Sequence, residues 1–215
     1  MKNNNTTELV FIIDRSGSMQ GLEKDTIGGF NSMLEKQKRE GGRCFVSTLL
    51  FDSTVEVLHD RVDLQKVRPI TEKDYFVRGC TALMDAVGGA IDHIGTIHKY
   101  ARKSDVPAHT LFVIITDGME NASSIYSRQK VKEMIEHQKR RFGWEFVFIG
   151  ANIDAAETAE GFGIEREFAV DYHADGEGTR MVYEAVSCAA ANVRANAPIG
   201  NEWRKKADID FENRK

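Results

Sequence analysis

The chain has 215 residues and a formal net charge of −4, with 41% hydrophobic and 29% charged residues. That length and apolar content suit one domain whose core needs no staple. No basic block is present, which argues against nucleic acid as a partner, and the three scattered cysteines, Cys44, Cys80 and Cys188, form no metal pattern and point to a reducing compartment.

The first apolar run, Leu9 to Ile13, is too short to cross a bilayer and has the length of a strand buried on both faces. Asp14 halts it too early for a signal peptide, and no later stretch is long enough to span a membrane, so a cytoplasmic protein is expected. A helix is predicted over about 20–39, with Leu22, Ile27, Phe30, Met33 and Leu34 inward and Gly28 and Gly29 allowing close packing on the sheet. Residues 43–51 read as a second strand and 52–54 as a tight turn. Residues 55–58 read as a third strand, which so short a link makes antiparallel. Residues 61–79 read as irregular. Thr81 reads as the N-cap of a helix running to about 103, on which His93 and His98 are five apart and read as solvated. Strands are predicted over 110–115, 144–149 and 167–170, with helices over 127–141, 154–161 and 178–194. The segment 198–215 carries Trp203, Ile209 and Phe211 and is either a docked extension or an interaction tail. The alternation predicts an α/β fold: a doubly wound, mainly parallel six-stranded sheet, one antiparallel edge strand, and helices on both faces.

Three segments carry oxygen ligands at one expected edge of that sheet: Asp14-Arg15-Ser16-Gly17-Ser18, Gly79-Cys80-Thr81-Ala82-Leu83 and Thr116-Asp117-Gly118. The first and third follow buried strands, where open α/β sheets place their ligands. Singly, each residue has a local reading as a helix cap or turn former. Together they offer two carboxylates and three hydroxyls, the donor set of a hard cation such as Mg²⁺. With so few carboxylates the cation would stay electrophilic, which suits docking more than hydrolysis. Cys80 reads as a buried inert thiol, since a hard cation does not seek sulfur. Asp52 reads as a turn residue. No phosphate-loop motif is present, since the glycines at 161 and 163 follow a short helix rather than linking strand to helix.

The motif set Asp-x-Ser-x-Ser, Gly-x-Thr-Ala-Leu-x-Asp-Ala and Thr-Asp-Gly, in this order, resembles the von Willebrand factor A domain, whose metal-ion-dependent adhesion site uses these positions. The resemblance runs from about Thr7 to Ile164 and is nearest in feel to small bacterial cytosolic members, including those near tellurium-resistance clusters. It implies that residues 1–197 form a single such domain, with 198–215 an extension or tail. It also implies that Ser16, Ser18 and Thr81 contact a metal, while Asp14 and Asp117 act directly or through water. The metal would be Mg²⁺, with Mn²⁺ or Ca²⁺ as substitutes. The implied function is a non-enzymatic protein-binding module whose cation captures an Asp or Glu of a partner protein. The alternative is a metal-assisted phosphoester hydrolase using the same carboxylates, with Arg15 and Arg78 holding phosphate. A third reading leaves the metal only bracing the loops. Oligomeric state carries no sequence signal.

Overall fold

The computed structural model describes residues 5–214. The strands are β1 (Thr7–Asp14), β2 (Cys44–Phe51), β3 (Val55–Asp63), β4 (His109–Thr116), β5 (Glu145–Ala151) and β6 (Ala169–Tyr172). The helices are α1 (Glu23–Lys38), α2 (Leu83–Tyr100), α3 (Arg128–Phe142), α4 (Ala155–Gly161), α5 (Gly176–Arg194) and α6 (Lys205–Asn213). One sheet has the order β3-β2-β1-β4-β5-β6. Every neighbouring pair is parallel except β2 with the edge strand β3. This is the α/β architecture the sequence predicts.

All eight residues of β1 are buried, because the strand has a helix layer on each face. Leu9, Phe11 and Ile13 join the core that includes Phe30 and Met33 of α1 and Val182 and Val186 of α5. Val10 and Ile12 join the opposite core, with Val87 and Ile91 of α2 and Ile135 of α3. Each such fully buried side chain contributes about 1.5–3 kcal/mol. β4 repeats the division, with Leu111, Val113 and Ile115 on one side and Phe112 and Ile114 on the other.

Several local expectations are corrected. The first helix starts at Glu23, since a 3-10 turn at Gly17–Met19 and a left-handed Gly21 (φ 94°) come first. Gly29 makes room for another helix rather than for the sheet. A β carbon there would lie 2.3 Å from the Tyr183 ring of α5. Thr81 does not cap α2: Ala82 holds the N-cap position, and the first-turn amides of Met84 and Asp85 are taken instead by Glu120 and Ser123 of the third loop. β3 continues five residues past the predicted end, through a register shift against β2 and a left-handed Arg61 (φ 49°). β1 begins two residues before the apolar run and buries Glu8 completely. Glu8 explains why His98 is not solvated: His98 Nε2 lies 2.6 Å from Glu8 Oε2, and Arg61 Nε donates to Glu8 Oε1 at 2.7 Å. His93 does sit at the surface, against Asp60.

The segment after residue 197 is docked. Ile199, Trp203 and Ala207 are buried in the core on the α5 side. Trp203 Nε1 donates to the Glu167 carbonyl at 3.3 Å, and the His173 and Phe211 rings stack at 4.7 Å. Residues 1–4 and Lys215, at the ends of the expected domain and tail, lie outside the described residues. Among the described residues, no helix is long and apolar enough to cross a membrane. Because Trp203 is only 2% exposed, Trp203→Ala should lower unfolding free energy by about 3–5 kcal/mol. Urea denaturation measures this, and a surface-like change below 1 kcal/mol would contradict the packing described.

Candidate metal centre

The register of the two central strands builds the site. Ile13 of β1 pairs with Ile115 of β4, so Asp14 and Thr116 finish side by side at the carboxyl ends of neighbouring parallel strands. Thr116 Oγ1 donates to Asp14 Oδ2 at 2.5 Å, and the Ser16 amide donates to Asp14 Oδ1 at 2.7 Å. Behind them, the buried Tyr75 hydroxyl donates to the Asp14 carbonyl at 2.6 Å.

The second loop is drawn in by backbone bonds. The Gly17 amide donates to the Gly79 carbonyl at 3.1 Å. Thr81 and Asn121 exchange bonds: the Thr81 amide donates to Asn121 Oδ1 at 2.9 Å, and the Asn121 amide to the Thr81 carbonyl at 3.1 Å. Thr81 is thus placed by the third loop and by Ser16, to whose Oγ it donates at 2.9 Å. The Ser16 and Ser18 hydroxyl oxygens are 3.1 Å apart. Gly118 lets the third loop close, because a β carbon there would sit 2.9 Å from Ser18 Oγ and 3.5 Å from Thr81 Oγ1.

All five predicted residues, Asp14, Ser16, Ser18, Thr81 and Asp117, therefore come from loops in mutual contact. The arrangement fits a hard cation on three counts. The hydroxyl spacings of 2.9 and 3.1 Å are close to the edge of an octahedron around Mg²⁺, about 2.9 Å for ligands at about 2.0–2.1 Å. Both carboxylate oxygens of Asp117 are buried and, among the described residues, lack a hydrogen-bond partner. A buried carboxylate left unpaired calls for a positive charge. Gly118 supplies the third count, a cradle that any side chain would fill. Among the described residues no group of three or more His, Cys, Asp or Glu could hold a metal, so a cation here relies on hydroxyls.

Electrostatics agree. Burial raises the Asp14 carboxyl above its ordinary value, against the bonds from Thr116 and Ser16. Burial pushes Asp117 up to about 6. The Ser18 hydroxyl opposes this without reaching hydrogen-bond geometry, and the Asp14 charge adds to it. Both acids gain when a cation arrives.

The supporting residues were less visible in the sequence. Asp52 is more than a turn residue. Its Oδ1 accepts the Thr54 amide, while Oδ2 accepts Arg15 Nε at 2.9 Å and Arg78 Nε at 2.8 Å. Burial alone would raise Asp52, but the bonds from Arg78, Thr54 and Arg15 outweigh it and hold the carboxyl low. Arg15 is fully buried, reaches Glu56 at 2.8 Å, and lies with Arg78 over the Phe76 ring. Arg15 is thus enclosed among carboxylates, whereas Arg78 spends only its Nε on Asp52 and stays half-exposed. Glu120 accepts the amides of Ala122, Ser123 and Met84. Asp85 accepts those of Ser124, Ile125 and Tyr126, which fixes the third loop to the start of α2. Asp85 stands within the second motif and was open to detection; Glu120 carries no signal. Cys80, expected buried, is exposed, and its amide donates to Ser53 Oγ at 2.9 Å.

Solved structures share this architecture. Proximal thread matrix protein 1 from the mussel byssus, in a form with a zinc-occupied metal-ion-dependent adhesion motif, gives a TM-score of 0.57 at 15% identity, over 86% of this chain and 46% of that one. A von Willebrand factor type A protein from Catenulispora acidiphila gives 0.57 at 13% identity, over 86% and 43%. The fold is that of the von Willebrand factor A domain. Manganese-loaded TRAP protein of Plasmodium vivax also has this fold, with a TM-score of 0.56 at 18% identity over 79% of this chain and 69% of that one. The chain spans less than half the length of the mussel protein. No protein-family model and no curated protein sequence matches it.

The buried Asp117 predicts a pH dependence. Its folded pKa of about 6 exceeds the ordinary 3.8, so the folded state holds the proton more tightly. The associated stability is complete below the ordinary value and is lost as pH rises to about 6. Chelator-treated protein should therefore lose stability between about pH 4 and about pH 6, and Asp117→Asn should flatten that decline. Urea melts across the range check it; equal slopes for both proteins would refute the account.

Proposed function

We propose that the protein is a metal-dependent protein-binding module in which the A-domain's sheet-top site takes an acidic residue of a partner. The observation that carries this reading is the buried Asp117 carboxylate, unpartnered beside three converging hydroxyls. A divalent cation, Mg²⁺ or alternatively Mn²⁺ or Ca²⁺, supplies when bound an electrophilic position open to an outside carboxylate. Ser16, Ser18 and Thr81 would hold it with neutral oxygen, and Asp14 and Asp117 would balance it directly or through water.

The surroundings support docking. Phe76 and Met119 are exposed on the second and third loops, and can read the apolar neighbours of a partner's acid. Glu120 and Asp85 hold the third loop in place, so little ordering remains for binding to oppose. Of the two phosphate-binding cations the hydrolase alternative needs, Arg15 is enclosed and Arg78 is shared with Asp52, which weighs against that reading. We also read the protein as a cytosolic bacterial member of its kind; the free thiols of Cys44, Cys80 and Cys188 support the reducing compartment in that reading.

Calorimetry with Mg²⁺ should show binding to the wild type and none to the Asp14→Ala, Asp117→Ala double variant. At 100 times its dissociation constant the ion should stabilise the wild type by about 2.7 kcal/mol. Partners recovered from native lysate with Mg²⁺ should be lost in chelator while the fold persists. Thr81→Ala should weaken that capture far more than it lowers the melting temperature. A partner retained in chelator would refute the mechanism.

A further inference from the structure

Arg78 stands directly before Gly79-Cys80-Thr81, the second metal loop. Its amide donates to the carbonyl of Arg15 at 2.9 Å, one residue before Ser16, and the next carbonyl, that of Gly79, accepts the Gly17 amide. The residue is therefore rooted on the same rim as the three hydroxyls. Its side chain is held at two further points. Nε donates to Asp52 Oδ2 at 2.8 Å, and the Phe76 ring lies 5.1 Å from the guanidinium carbon. Among the described residues that Nε bond is the only hydrogen bond the guanidinium makes, and the side chain is 47% exposed. The four N–H donors of the two terminal nitrogens are unspent.

The three motif segments themselves offer no exposed cation. Arg15 is fully buried between Asp52 and Glu56, and the third loop, residues 117–127, contains neither lysine nor arginine. Asp52 is shared by both arginines while Glu56 adds a second pair to Arg15 at 2.8 Å, so Arg78 has the smaller share of the two carboxylates. The Asp52 charge is felt at Asp14, which puts the Asp52–Arg78 pair within electrostatic range of the cation position. A planar fork with free donors, steadied before any ligand arrives, fits a carboxylate and has little side-chain freedom left to lose. We infer that the partner segment carries two carboxylates, one for the cation and a second, close by, for Arg78. This deepens the metal-dependent docking proposed above and rests on it. Glu56, 51% exposed, is the internal competitor, since its charge reaches Arg78 after that of Asp52.

The probes are acetylated, amidated alanine hexapeptides carrying one Asp, or that Asp with a Glu one to three residues to either side. They are titrated into the full chain with Mg²⁺ and followed by NMR. The best diacid should bind about fivefold more tightly than the monoacid, the scale of an exposed pair with fixed geometry. Only the diacid should shift the Arg78 Nε–H signal. Arg78→Gln should erase the preference and leave monoacid binding, which reports an intact metal site, unchanged. Arg78→Lys, which keeps the charge beside Asp52 but loses the fork, should retain less than half of it. Glu56→Gln, which keeps an acceptor for Arg15, should increase it. A diacid with no advantage at any spacing, or an advantage that survives Arg78→Gln or is complete in Arg78→Lys, would overturn the inference. Chelator should release both peptides. Monoacid binding that survives chelator would count against the metal reading alone, because the part played by Arg78 is read as a ratio of the two peptides.

Discussion

The arrangement at the top of the sheet depends on the hydrogen bond from Thr116 to Asp14. It joins the ends of the two most enclosed strands, and those strands cannot slip. A shift of one residue would turn Leu9, Phe11 and Ile13 from one helix layer into the other. Asp14 is therefore held by the whole core, and Asp117 follows from it by chain connectivity. The flexible part of the problem, bringing in Thr81, is left to backbone bonds and to the hydroxyl chain through Ser16.

Charge is handled in two separate ways around this point. Asp14 and Asp117 are buried without cationic side chains, so burial raises both. A few residues away, Asp52 is buried with two arginines and held low. One acid is locked into permanent ion pairs that fasten loops together, while the other two keep their demand for positive charge. Removing one partner from the fastened set would leave an uncompensated buried charge, a far greater disturbance than breaking a surface pair.

Much of this was legible in the sequence because parallel strands covered on both faces must be apolar throughout. β1 and β4 announced themselves, and the acids that end them fell into place. The five oxygen-bearing residues were readable as three motifs in order, and the structure brings their loops together. What escaped was set by tertiary partners. Glu8 is polar and extends β1 only because Arg61 and His98 reach it from distant segments. Thr81 has the residue type of a cap, but Ser16 and Asn121 claim its groups. Trp203 could have served a partner; whether the remainder of the core would accept it was not written locally. Glu120 organises a loop through amides, and amides leave no mark on composition; Asp85 does the same from within the second motif.

The turn between β2 and β3 has an unusual standing. Ser53 and Thr54 are exposed, and exposed hairpin tips ordinarily accept inserted residues. Here the Asp52 carbonyl receives the Ala82 amide and Ser53 Oγ receives the Cys80 amide, on either side of Thr81. The left-handed Gly79 lies directly against Ser53, where a β carbon would come within 2.9 Å of its hydroxyl. The hairpin tip thus acts as a gauge block for the second metal loop. Its length is fixed from outside the hairpin, so lengthening it by one residue would displace Thr81 from Ser16 while leaving both strands intact.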